Sequence, residues 1–129
     1  MPFKYRENDV LLIPVTDGSF ALARVVLKEP SLLLVLHAVQ VRSRDEVDVG
    51  SLRTAQPSLL MATIPRSIHK GIWRVAGNCP PATEVPIPPE QAQALPGHVS
   101  YSPAAIEEAA KALLGLTPWL PWHDKVRKV

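Results

Sequence analysis

The sequence predicts a mainly β (α+β) protein, an antiparallel meander or small barrel of about five to six strands with a C-terminal helix packed on it. Three observations predict this. Short apolar runs of strand length follow one another through most of the chain, separated by turn-forming residues. Asp17-Gly18 joins the first two runs, and this pair is a hairpin signal because the turn takes positive φ, which Gly tolerates. A single segment carries strong helical periodicity, and it lies near the end of the chain.

Val10–Val15 reads as the first strand, with Pro14 on an edge or near its end. An open edge there either pairs with another chain or is covered by the helix. Phe20–Lys28 reads as the second strand. Its alternation places Phe20, Leu22, Arg24 and Val26 on one face and Ala21, Ala23, Val25 and Leu27 on the other. Both faces are mostly apolar, so the strand lies between layers or inside a small barrel. A buried Arg24 then needs an acidic or carbonyl partner.

Lys28-Glu29-Pro30-Ser31 is turn-like, and Ser31–Val41, with "LLLVL" at its centre, is the most buried-looking strand. His37 continues that strand and reads as a satisfied core histidine rather than a ligand. Arg42–Arg53, "RSRDEVDVGSLR", mixes charges of both signs and reads as an exposed connection with a short strand around Val47–Val49. Ser58–Ile64 and Gly71–Ala76 are further strand candidates. Asn78–Pro89 contains five prolines and is expected to be irregular or extended.

In "SPAAIEEAAKALLG", Ser102 is placed as N-cap, Pro103 as the first helical residue and Gly115 as the terminator. Ile106, Ala109, Ala110, Leu113 and Leu114 form one apolar face, and Glu107 and Lys111 stand as an i, i+4 pair. In "LTPWLPWHDKVRKV" the prolines argue against a helix, so Trp119 and Trp122 project from an extended or turning backbone. They either fold back as a clasp over the core or form an exposed hot spot.

The chain of 129 residues fits one domain, with residues 1–90 as a β core and 91–129 as the helix and Trp-containing tail. It is 47% apolar and 20% charged, a globular balance, and its 14 prolines punctuate it into short segments. No apolar run is long enough to span a bilayer, and "MPFKYREND" carries charges where a signal peptide needs its apolar region. Cys79 stands alone, so a reduced, cytoplasmic setting is expected.

The net charge of +2 lacks the one-sided density of a nucleic-acid binder. The four histidines are scattered without zinc-motif spacing, and no glycine-rich phosphate loop occurs. Cys79 in "GNCPP" lacks basic neighbours that would activate a thiolate. Asp45, Glu46 and Asp48 do not follow an EF-hand pattern. The residues therefore point away from an enzyme and call for no cofactor or metal. Binding surfaces remain: Arg42, Arg44, Asp45, Glu46 and Asp48 on the mixed-charge loop, and Trp119 and Trp122 in the tail.

Two stretches, "NDVLLIPVTDGSFALARVV" and "IHKGIWRVAGNCP", together resemble the immunity protein 26 family of bacterial polymorphic toxin systems. The first carries Asp9, Ile13-Pro14, Asp17-Gly18 and Arg24-Val25 in the order of that family's opening; the second carries Trp73, Gly77 and Pro80. The resemblance covers about the first 90 residues. Ala23 stands where glycine is frequent in the family, and the helix and double-Trp tail extend beyond the matched part. The resemblance implies a mainly β protein that binds a cognate toxin domain in the cytoplasm and neutralises it by steric occlusion. Inhibitors of basic nuclease toxins are expected to present strongly acidic faces, and a net charge of +2 weighs against that subtype. The alternative is a small β-barrel (SH3-like) adaptor for a peptide or protein partner.

Overall fold

Asp17 and Gly18 both take positive φ, 53° and 72°, and turn β1 (Asp9–Pro14) back along β2 (Phe20–Leu27). The computed structural model in which this hairpin is seen describes residues 2–96 and 98–129. Turn and strands are locally consistent: the Ser19 N–H bonds to the Thr16 carbonyl at 2.9 Å, and Pro14 pairs with Phe20. A turn containing a cis Glu29–Pro30 peptide leads into β3 (Leu32–Val41), and β3 pairs with β4 (Leu59–Thr63). These four strands form the expected meander.

Two more strands complete the sheet. β5 (Arg74–Asn78) lies antiparallel to β1, and β6 (Arg127–Lys128) lies antiparallel to β4. The order β5-β1-β2-β3-β4-β6 is open, so the meander forms and the barrel does not. β1 is thus an internal strand. Pro14 sits at its end, past the last residue paired with β5, where its missing N–H leaves no ladder bond unmade.

Both sheet faces are covered, which explains why both faces of β2 are apolar. Leu11, Ile13, Ala21, Ala23, Val25, Leu34, Leu36 and Met61 face the main core. The helix α3 (Pro103–Leu113) lies on that face and buries Ile106, Ala109 and Ala110 against it. Before α3 come two single-turn helices that the sequence pattern did not predict, α1 (Arg66–His69) and α2 (Pro89–Ala92). Ser102 caps α3 by accepting from the Ala105 N–H at 3.1 Å, as its position predicts. Gly115 ends it at φ 75°; the Leu116 N–H reaches the Lys111 carbonyl and the Gly115 N–H the Ala112 carbonyl, a Schellman closure. The predicted Glu107–Lys111 pair does not form. Lys111 meets Glu108 at 3.3 Å instead, and Glu107 accepts a 2.9 Å bond from the buried Trp73 indole, joining helix to sheet.

The opposite face carries Val10, Leu12 and Leu22 under Leu52, Val47 and Val49, and Leu33, Val35 and Leu60 under Val85 and Ile87. The connection after β3 is built from two 3₁₀ turns, Arg44–Glu46 and Val49–Arg53, rather than from the expected strand at Val47–Val49. Asp48 ends extended pairing there because its carboxylate accepts the Ser51 N–H at 3.3 Å. The proline-rich stretch is irregular between Asn78, the end of β5, and Pro89, the start of α2, with a bend at Ala82-Thr83, and it forms a strap tied to Arg53 by the Ala82 N–H at 2.9 Å.

The fifth strand starts later than its sequence pattern suggests. Gly71 takes φ 74°, and the N–H groups of Ile72 and Trp73 both reach back to the Ser67 carbonyl, so the chain is still turning there. Among the described residues, no helix is long and apolar enough to cross a membrane.

Candidate functional site

A surface cleft opens beside β5, where the N-terminal segment crosses the end of α1. The Phe3 N–H binds the His69 carbonyl at 3.1 Å, and the Phe3 ring lies against Gly71. A Cβ on Gly71 would come within 2.6 Å of that ring, so glycine serves there both for its φ and for close approach. The cleft has a volume of about 780 Å³, and Ile68 and Trp73 form its buried floor.

Phe3 and Ile72 remain 61% and 49% exposed at this cleft, an unusual state for two neighbouring large apolar side chains. Lys4, Arg44 and Arg74 supply its cations, and no carboxylate, imidazole, hydroxyl or thiol side chain lies among its described lining residues. An apolar patch with a purely cationic border suits a partner bearing an apolar knob and acidic neighbours.

The residues proposed from the sequence fall into two groups. Arg42, Arg44, Asp45, Glu46 and Asp48 are all exposed on the connection between β3 and β4. Of these, Arg44 reaches the cleft beside β5. Glu46 and Asp48 are engaged within their own loop, Glu46 accepting the Arg42 N–H at 3.1 Å. Trp122 packs partly buried against the helix-covered core, on the sheet face opposite to that loop. The structure therefore does not bring loop and tail together.

The tail is not simply extended. Pro121–Lys125 forms a 3₁₀ turn, which tolerates Pro121 in its first position. His123 is buried between the indoles, 4.0 Å from Trp122 and 4.9 Å from Trp119, and its Nδ1 accepts the Leu120 N–H. Trp119 stays 39% exposed while its indole N–H donates to Asp124 at 2.7 Å. Trp122 thus clasps the core and Trp119 covers His123.

A second polar group lies inside the fold. Register places Arg24 opposite Val10 and Val35, and His37 opposite Leu22, so both lie on the strap-covered face. Arg24 is 3% exposed and His37 1%. One Arg24 nitrogen, Nη1, donates to Asn8 Oδ1 at 3.3 Å, the carbonyl partner its burial requires, while Nε has no partner. Burial pushes the guanidinium below its ordinary pKa, partly offset by the Cys79 thiol. His37 is in the core as expected but is not satisfied: neither ring nitrogen finds a hydrogen-bond partner among the described residues. Burial, reinforced by the nearby Arg24 charge, lowers its pKa to about 4.

The residues that carry the family resemblance turn out to organise the scaffold. Asp9 accepts from Asn78 at 3.0 Å across β1 and β5. A Cβ on Gly77 would stand 2.7 Å from Val49 Cγ2, so glycine lets the 3₁₀ connection pack on β5. Phe3, Ile72 and Arg74 escaped sequence reasoning, although "PFKYREND" and "HKGIWR" do show lone apolar residues embedded in charge. Among the described residues, no cluster of three His, Cys, Asp or Glu is placed to hold a metal ion. Comparison with protein-family models, with curated proteins and with solved structures finds no match.

Proposed function

We propose that the chain is a cytoplasmic immunity protein that binds a cognate bacterial toxin domain and neutralises it by steric occlusion, without catalysis. The observation that carries the choice of surface is the cleft beside β5. Exposed Phe3 and Ile72 are apolar anchors, and Lys4, Arg44 and Arg74 form a cationic border. Anchors of this kind inside a polar border are the anatomy of a protein–protein hot spot. The border selects a toxin face with exposed carboxylates, in keeping with a chain whose own charge is +2. The mixed-charge loop contributes through Arg44, while Trp119 and Trp122 support the fold from the other face.

The test is co-expression with the C-terminal domain of the neighbouring gene's product, scored by rescue of growth and by co-purification. Wild type should rescue and co-purify; Ile72→Asp and Arg74→Glu, both at exposed positions, should lose both. Rescue by both variants would move the interface elsewhere, and no rescue by a folded wild type would sink the immunity reading. An adaptor role is the second reading, favoured by one observation: among the described residues β5 pairs with β1 alone, leaving an edge on which an extended peptide could add as a strand.

A further inference from the structure

The strap-covered face holds a charge that the fold leaves unneutralised. Among the described residues, no carboxylate lies within ion-pair distance of Arg24. A guanidinium presents five N–H donors in a planar fork, and here one of its nitrogens meets a neutral amide while Nε meets nothing. The group is buried yet not sealed. Arg24 lines two clefts of about 400 and 320 Å³, whose walls share Arg24, Pro81, Glu84 and Val85.

We propose that Arg24 binds a carboxylate that enters beneath the strap. Two coplanar oxygens match the guanidinium fork, and a single negative charge supplies the missing counter-charge. Other groups on the clefts fit that chemistry. Asn8 holds φ 70°, a left-handed conformation that asparagine tolerates better than most residues, and its Oδ1 is engaged by Arg24, which leaves its amide N–H₂ as a second donor. Arg53 adds a second cation to the larger cleft. His37, on the same face, is neutral near pH 7 and does not compete for the anion. Against binding stand Glu84, which lines both clefts, and Glu7, which lines the smaller one. Glu84 is exposed on the strap and acts as a competitor that the incoming carboxylate must outdo. The site stands whether or not the chain's partner is a toxin.

The experiment follows the Arg24 Nε–H resonance of the full ¹⁵N-labelled chain, assigned through its own backbone. It is titrated with sodium acetate and, separately, with N-acetyl-glutamate amide, at constant ionic strength against sodium chloride. A saturable shift with a Kd on the order of millimolar is expected with a carboxylate and not with chloride. Tighter binding of acetate identifies a free small acid as the source; tighter binding of the glutamate amide identifies a side chain on a polypeptide. Glu84→Gln, an exposed change that leaves the core intact, should tighten binding about two- to fivefold by removing the competing charge. The proposal is overturned if neither compound gives a saturable shift, if chloride gives the same one, or if Glu84→Gln leaves the affinity unchanged.

Discussion

Lowering the pH from about 7.5 to 5 is expected to cost the folded chain about 2 kcal/mol through His37 alone. The folded imidazole stays neutral down to about pH 4, because burial and the Arg24 charge oppose its protonation. In the unfolded chain it takes up a proton near pH 6.5. Within that window the unfolded state binds more protons, so acid favours unfolding. The contribution is intact above pH 6.5, shrinks steadily towards pH 4, and is constant below. Each unit is worth about 1.4 kcal/mol, which gives about 2 kcal/mol at pH 5 and about 3 at pH 4. The assay is urea unfolding followed by tryptophan fluorescence across this range, for wild type and for His37→Leu. The two proteins differ only at position 37, so the difference between the two curves isolates His37. At neutral pH His37→Leu should be as stable as wild type or more so, because neither ring nitrogen forms a hydrogen bond. Parallel pH curves for the two proteins, or an imidazole that titrates near 6.5 in the folded chain, would refute the reasoning.

Other substitutions test the packing. Gly77→Ala should destabilise by about 1–3 kcal/mol because the new methyl meets Val49, and adding Val49→Ala should recover much of that loss in thermal unfolding. Glu107→Leu should lower stability by about 1–3 kcal/mol by leaving the buried Trp73 indole N–H unpaired; Trp73→Phe should make the same change at 107 nearly silent in a double-mutant cycle. Ser102→Ala should cost about 1 kcal/mol and fray the start of α3, visible as faster amide exchange at Ala105.

Local chemistry explains what was legible in the sequence. The Asp17-Gly18 turn, the Ser102 cap and the Gly115 terminator each depend on residues within one turn of themselves, and each stands where its pattern placed it. The alternation in β2 likewise announced a strand covered on both faces. Less legible was anything decided by distant segments. Glu107 left Lys111 because a buried indole N–H from residue 73 needs an acceptor more than a half-buried lysine, which pairs with Glu108 instead, needs that ion pair. The 3₁₀ connection replaced a strand because the Asp48 side chain competes for the backbone N–H of Ser51. The cleft beside β5 assembles Phe3, Arg44 and Ile72 from three separate stretches of the chain, which no local pattern connects. Arg24 and His37 were each recognisable as buried, but their shared face follows from the pairing of Leu22 with His37 and Arg24 with Val35, a β2–β3 register that periodicity within either strand does not encode.

That shared face gives Arg24 two incompatible interpretations, and one substitution separates them by sign. If Arg24 is a structural tie, its bond to Asn8 fastens the N-terminal segment to β2, and Arg24→Met should destabilise by about 1–2 kcal/mol as Asn8 Oδ1 loses its donor. If Arg24 is an anion-binding group without its anion, Met removes an uncompensated buried charge and should stabilise by about 1–3 kcal/mol. His37 reports on the same change independently. Losing the Arg24 charge removes one of the two causes that lower its pKa, so its titration should move up from about 4 and part of the acid sensitivity should vanish. A more stable Arg24→Met chain that is less acid-sensitive means the wild-type sheet retains a costly cation that its own packing does not need. The bound carboxylate would then be what makes that cation favourable.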